Sequence, residues 1–357
     1  MHGGDIYSNK IQLDFSVSIN PLGMSTNVRR ALAENLSAVE NYPDQKCGKL
    51  VHALAQKLKV SETQILTGNG ASELIPAVFR ALNARCVLAF APCFTGYKRA
   101  FQSANDLAQN SAELSFFNLS YETLFKLERK NLEELQERLE QSRPDILIVA
   151  NPNNPDGSLK PLSQMEELAL LCRAHGTKLL IDECFIELSD NPGASFVPLL
   201  ARYPEVIVLR AFTKTFALPG LRLGYILCSD ENLVEAVRLQ LAEWSVSSLA
   251  QIAGVAALQD LGALEQARAL IKQERQFLCA GLEKLGFSVF SSDCNFLLFY
   301  SEKQPELYEK LIQKGILIRD CSDFEGLKKG FYRITVKQHT ENQRLIEAIK
   351  EVSNLKR

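Results

Sequence analysis

The residues best suited to chemistry lie in Ala211-Phe-Thr-Lys-Thr-Phe-Ala-Leu-Pro-Gly-Leu-Arg-Leu-Gly-Tyr225, which gathers a lysine, two hydroxyls and an arginine. A short β-branched run, Val206-Ile-Val-Leu209, precedes it and predicts a buried strand. Lys214 then emerges from the strand end into a cleft rather than lying on a helix face. Low dielectric and two nearby guanidinium groups, Arg210 and Arg222, favour the neutral amine, the form that condenses with an aldehyde. Thr213, Thr215 and Arg222 can hold a phosphate. A solvated loop lysine has the same local sequence, so the other strand ends must decide.

Thr67-Gly-Asn-Gly-Ala-Ser-Glu73 leaves backbone N–H groups and the Ser72 hydroxyl at the start of a helix, an anion cradle if it is not simply a turn. It lacks the third glycine of a dinucleotide fingerprint, and no Gly-x4-Gly-Lys-Ser/Thr occurs. In Pro92-Cys-Phe-Thr-Gly-Tyr97, Phe94 is either a plate for a planar ring or a core aromatic. Asn151-Pro-Asn-Asn-Pro-Asp-Gly157 is a rigid turn presenting an amide, Asn154. Asp182, after the apolar residues Leu179, Leu180 and Ile181, brings a carboxylate to the cleft floor, where a protonated heteroaromatic nitrogen would pair with it. Cradle, plate, amide, carboxylate, lysine and arginine together describe a pocket for a planar, phosphorylated, pyridine-bearing aldehyde.

These groups fall at the ends of apolar runs that alternate with amphipathic helices from about 64 to 227, the signature of an α/β layer fold with a largely parallel sheet. Strands are expected at 64–67, 86–90, 112–116, 145–150, 178–182, 206–209 and 223–227, with helices at about 72–82, 95–104, 131–141 and 163–175. In such sheets ligands bind beyond the strand carboxyl ends. Upstream lie an arm with no periodicity of its own, a helix over 26–36 with a threonine or asparagine cap, and another over 49–58. Asn41-Tyr-Pro-Asp44 between them presents Tyr42 on a tight connection. Downstream, a long helix over 263–285 leads to strands at 287–290, 295–300 and 331–336 and helices near 304–313 and 341–353, an α+β terminal domain.

The totals agree with a large domain plus a smaller one: 357 residues exceed one ordinary core. A net charge of -2, with no basic run interleaved with aromatics, argues against a nucleic-acid partner. No apolar run is long enough to span a bilayer and no signal pattern opens the chain, so a cytoplasmic protein without a membrane partner is expected. Nine scattered cysteines without a Cys-x-x-Cys pair read as reduced core residues, and four distant histidines give no expectation of a metal.

On these motifs the chain resembles, over essentially its whole length, the fold-type I pyridoxal-phosphate enzymes of the class I/II aminotransferase group. Within that group it looks most like the branch of histidinol-phosphate aminotransferases and threonine-phosphate decarboxylases. The resemblance implies an α/β fold with an arm (1–25), a large cofactor-binding domain (26–265) with a mostly parallel seven-stranded sheet, and a small α+β domain (266–357). It implies pyridoxal 5′-phosphate as cofactor, with Lys214 as the Schiff-base lysine and proton shuttle, Asp182 pairing with the pyridine nitrogen, Asn154 bonding the ring hydroxyl oxygen and Phe94 stacking on the ring. Gly70, Ala71, Ser72, Thr213 and Arg222 would bind the cofactor phosphate, and Tyr42 would reach it from a second subunit of a homodimer with shared sites. Arg333, in Tyr332-Arg-Ile-Thr-Val336, would clamp the substrate α-carboxylate.

His2-Gly-Gly-Asp5, Leu13-Asp-Phe-Ser-Val-Ser-Ile-Asn-Pro-Leu-Gly23 and Ile318-Arg-Asp-Cys-Ser-Asp-Phe-Glu-Gly-Leu327 look like the decarboxylase pattern, which implies that His2, Gly3, Asn20 and Arg319 contact the substrate and its phosphate. The expected reaction is decarboxylation of L-threonine O-3-phosphate, or a close phospho-amino acid, in corrinoid side-chain synthesis. The alternative is histidinol-phosphate or aromatic aminotransfer with 2-oxoglutarate. Asp156, Ala217, Pro219, Cys47 and Cys93 depart from the family pattern without removing a catalytic group.

Overall fold

A computed structural model describes residues 3–105 and 112–353. After β1 (Leu13–Asp14) in the arm, the apolar runs form β2 (Ile65–Gly68), β3 (Cys86–Ala91), β4 (Glu113–Asn118), β5 (Ile146–Ala150), β6 (Lys178–Asp182), β7 (Val206–Ala211) and β8 (Gly224–Leu227). These make one seven-stranded sheet in the order β2-β8-β7-β6-β5-β3-β4. Pairing from β4 through β3, β5 and β6 to β7 is parallel, while β8 runs antiparallel to both β7 and β2. The connections explain the difference. Helices Gly96–Ala104, Arg129–Ser142 and Leu162–His175 carry the chain back across the sheet, whereas the short segment between β7 and β8 permits only a reversal.

Both faces of the sheet are covered, and the two-residue period of a strand feeds both cores. Ile146, Ile148 and Leu180 enter one core with Leu74, Val78 and Phe79 of the Ala71–Ala81 helix. Leu147, Val149 and Ile181 enter the other, with Met165, Leu168 and Cys172 of the Leu162–His175 helix.

The terminal part adds β9 (Ser288–Val289), β10 (Phe296–Tyr300), β11 (Ile316–Leu317), β12 (Arg319–Asp320) and β13 (Phe331–Thr335). Four of them form an antiparallel sheet in the order β12-β13-β10-β9, and β11 pairs in parallel with β1 of the arm. Leu13 and Phe15 sit in the same apolar cluster as Leu297, Phe299 and Ile334, which is what the arm packs on. The Leu261–Lys284 helix supplies Leu278 and Leu282 to that cluster.

The Thr26–Glu34 helix is capped by Ser25, whose side chain accepts from the Val28 N–H; the expected threonine or asparagine cap lies one or two positions too late. Among the described residues no helix is long and apolar enough to cross a membrane, and no group of three or more His, Cys, Asp or Glu could hold a metal ion.

Candidate active site

A cavity of about 650 Å³ opens at the carboxyl ends of the parallel strands. Its wall includes Ala71, Ser72, Phe94, Asn154, Asp182, Thr213, Lys214 and Arg222 from the large sheet's connections, and Gly3, Arg319 and Arg333 from the arm and terminal sheet.

Lys214 stands on a single helical turn, Phe212–Thr215, that follows β7 directly. Burial is the main cause that pulls its ammonium down to about 8; Arg333 and Arg222 add to this, while Cys184 and Asp14 oppose it. The expected contribution of Arg210 is overturned. Its buried guanidinium turns away to Glu183, donating to Oε2 from Nε (3.0 Å) and Nη2 (2.8 Å), and to Ser195 Oγ at 2.7 Å. Burial works against the Arg210 charge, but Glu183, with Tyr225 and Glu187, more than offsets it. Arg333, far away in sequence, takes the role given to Arg210.

At one end of the cavity, Arg222 donates from Nη2 to Ser72 Oγ at 2.9 Å, at the start of the Ala71–Ala81 helix. Gly70 has φ of +81° there, and a Cβ on it would lie 2.7 Å from Arg222 Nη2. Gly224 on β8 lets that helix start press against the strand, since a Cβ would meet the Ala71 nitrogen at 3.1 Å. Thr213 is buried in the same wall. Thr215 is not part of it; its carbonyl accepts from Asn20 Nδ2 at 2.9 Å.

Across the middle, Asp182 accepts from the Tyr97 hydroxyl at 2.7 Å and from the Cys184 N–H at 3.0 Å. Burial and then the Asp182 carboxylate raise the Tyr97 phenol well above its ordinary range, so it stays a donor. Tyr97 was not among the residues expected from sequence. Its stretch was, but its partner is contributed by β6. Phe94 meets Tyr97 edge to face at 5.6 Å, and Gly96 leaves room for the ring. The Asn154 turn is fixed from both sides: Asn151 exchanges two hydrogen bonds with the Lys160 backbone, and Asn153 donates to Pro92 O at 3.0 Å and to Asp156.

At the far end, Arg333 donates to Asn154 Oδ1 and, at 2.8 Å, to Ser16 O. Its buried Nε has no hydrogen-bond partner among the described residues, so one donor remains to be met. Burial, reinforced by Arg319 and opposed by Cys321, pulls its pKa down to about 10. Arg319 lies directly opposite Arg333 in the β12–β13 pair. It donates from Nη2 to both oxygens of Asp323, at 2.7 and 2.9 Å, and from Nη1 to Asp320 O.

Three other expected residues stand elsewhere. Asn20 does not line the cavity: its amide donates to Thr215 O and accepts from the Leu22 N–H, and its own N–H donates to Lys214 O. It pins the arm to the lysine turn. Tyr42 is 81% exposed, packs on Trp244 at 4.9 Å and is not in the wall of its own chain's cavity. His2 lies outside the described residues.

The residues present fit pyridoxal 5′-phosphate. A buried amine of low basicity can take its aldehyde, a supported carboxylate its protonated ring nitrogen, and Phe94 its face. The Gly70 cradle, which any Cβ would fill, can take its phosphate with Ser72 and Arg222.

Comparisons with known proteins agree. A model of the family described as aminotransferase class I and II matches residues 10–349. A threonine-phosphate decarboxylase of Salmonella typhimurium is 36% identical over 98% of this chain and 96% of its own. Histidinol-phosphate aminotransferase 1 of Carboxydothermus hydrogenoformans is 33% identical over 87% and 84%. The crystal structure of the histidinol-phosphate aminotransferase from Clostridium acetobutylicum, 29% identical, superposes with a TM-score of 0.86 over 96% of this chain and 99% of that one. The chain therefore belongs to the class I and II aminotransferase family, within the branch of those decarboxylases and aminotransferases, and is a pyridoxal 5′-phosphate-dependent enzyme.

Proposed function

We propose that this enzyme removes the α-carboxyl group of L-threonine O-3-phosphate as carbon dioxide, leaving an amino-alcohol phosphate of the kind used in corrinoid assembly. The observation that carries the reading is the pair Arg319 and Arg333, opposed across two strands and both in the cavity wall. Two cations at that spacing suit a small substrate with two anionic groups, a carboxylate for Arg333 and a phosphate for Arg319. Histidinol phosphate carries only the phosphate. The second reading, aminotransfer from histidinol phosphate to 2-oxoglutarate, uses Arg333 only for the oxo acid; it is kept because relatives of both activities match nearly the whole chain.

When bound, pyridoxal 5′-phosphate supplies an aldehyde for the substrate amine and a ring that takes up the electrons of the Cα bond standing perpendicular to it. Arg333 and Arg319, holding the two ends of the substrate, select the carboxylate bond. Lys214 carries a proton on Nζ and delivers it to Cα in place of the carboxyl group once carbon dioxide has left. Asp182, supported by Tyr97, keeps a proton on the ring nitrogen, while Asn154, Phe94, Ser72, Thr213, Arg222 and the Gly70–Ala71 backbone hold the cofactor in place. The reading extends to a cytoplasmic homodimer in which Tyr42 of a second copy completes the phosphate site, consistent with its exposure. It also keeps an arm (1–25), a large domain (26–265) and a small domain (266–357), consistent with a separate apolar cluster in the terminal part.

The test is to incubate the holoenzyme with threonine phosphate, serine phosphate and histidinol phosphate. Carbon dioxide released from threonine phosphate without an oxo acid is expected. Amine transfer to 2-oxoglutarate without carbon dioxide would instead establish the second reading.

A further inference from the structure

Arg319 is 6% exposed at its side chain, and a guanidinium that deep in protein must have its charge met at all times. In the structure Asp323 meets it, with both oxygens on Nη2. The two partners differ in exposure. Asp323 is 36% exposed, so water can take over its solvation at little cost. Arg319 is fixed independently of it, by the Nη1 bond to Asp320 O and by the Phe324 ring 4.9 Å from its guanidinium carbon.

The arrangement in space is equally specific. Arg319 and Gly3 are the residues shared by the walls of the large cavity and a neighbouring chamber of about 210 Å³. Asp323 lines only the chamber, together with Asp5, Glu309 and Asp320. The carboxylate thus holds the guanidinium from the side away from the cavity, where an incoming anion does not collide with it.

The geometry points to Asp323 as an exchangeable counter-ion: it neutralises Arg319 in the empty site and gives it up when a phosphate group enters the cavity. This rests on reading Arg319 as the receiver of the substrate phosphate. The consequence is a setting of affinity. Part of the attraction between Arg319 and a phosphate is used to release Asp323, so the enzyme binds its substrate, and inorganic phosphate, less tightly than the bare cation would. A carboxylate in place of the phosphate, with half the charge, displaces Asp323 less well. Asp323 thereby favours phosphorylated substrates over their carboxylate analogues.

The experiment uses holoenzyme, in which the cofactor's own phosphate site is filled, titrated with inorganic phosphate by calorimetry. Asp323→Asn is expected to bind phosphate roughly tenfold more tightly than wild type, because a neutralising charge has been removed from beside the cation. Arg319→Gln is expected to abolish the response. Equal or weaker binding in Asp323→Asn overturns the proposal. Wild type gives an independent readout that survives a poorly folding variant: carbodiimide labelling of Asp323, followed by mass spectrometry, should rise severalfold when phosphate saturates. Unchanged or reduced labelling also overturns it. A holoenzyme that releases carbon dioxide but shows neither effect leaves the proposed reaction standing and removes only the role of Asp323. One that binds no phosphate in any form removes the reading of Arg319 with it.

Discussion

Lys214 illustrates how little of a side chain's behaviour belongs to the side chain. Its ammonium is brought to about 8 mainly by burial and then by Arg333, so the reactive free amine dominates only above that pH. Capture of pyridoxal 5′-phosphate by apoprotein should therefore accelerate as pH rises through about 8, read by the growth of the visible absorbance band. Arg333→Gln removes a like charge, favours the ammonium and should move that midpoint upward; a midpoint that stays put would mean Arg333 has no part in it. Tyr97 offers a second test. Without its hydroxyl, Asp182 is left to the Cys184 N–H and thiol as donors. Tyr97→Phe should weaken cofactor binding by about 1–2 kcal/mol, roughly tenfold in Kd, with little change in Tm. Sequence made Lys214, Asp182, Asn154 and Phe94 legible because each follows an apolar run. It did not make Tyr97 or the Arg333 effect legible, because both depend on partners brought in by other strands. Arg210 misled for the converse reason: it is near Lys214 along the chain, yet its side chain is committed to Glu183.

At the scale of elements, the sheet was readable because its central strands, β5 and β7 above all, are rich in β-branched residues and buried on both faces, and all seven expected strands are present. What the runs do not encode is direction or order: the β7–β8 reversal follows from a short connection, and the entry of β1 beside β11 comes from contact between distant segments. Two joints between elements should be costly to disturb. Glu183 just after β6 and Arg210 at the end of β7 form a buried pair, and Glu183→Ala should lose about 3 kcal/mol in urea denaturation because it leaves the buried guanidinium only the longer carboxylate contact, with Glu187 at 3.6 Å. Gly70→Ala forces a side chain into a conformation open to glycine and against Arg222 Nη2, costing about 1–3 kcal/mol. It should also raise the cofactor Kd, a change that a destabilisation remote from the cradle would not bring.

Over the whole molecule, the arm joins parts that the chain otherwise keeps apart. β1 extends β11, Asn20 holds the lysine turn, and Ser16 accepts from the Gly4 N–H at 2.7 Å while donating to Asp14 at 2.6 Å. Ser16→Ala should free the segment around Gly3, seen as faster amide exchange there, and raise KM severalfold while leaving the cofactor absorbance unchanged. The β7–β8 reversal has a further consequence. It carries both Lys214, which takes the aldehyde in our reading, and Arg222, which takes the phosphate, so two ends of one small molecule are held by a single continuous loop anchored in the central sheet. The two arginines that we assign to the substrate come instead from the terminal sheet. Tenant and visitor are thus housed on different walls: when the substrate amine takes the aldehyde from Lys214 in our reading, Arg222 and Ser72 still hold the cofactor by its phosphate.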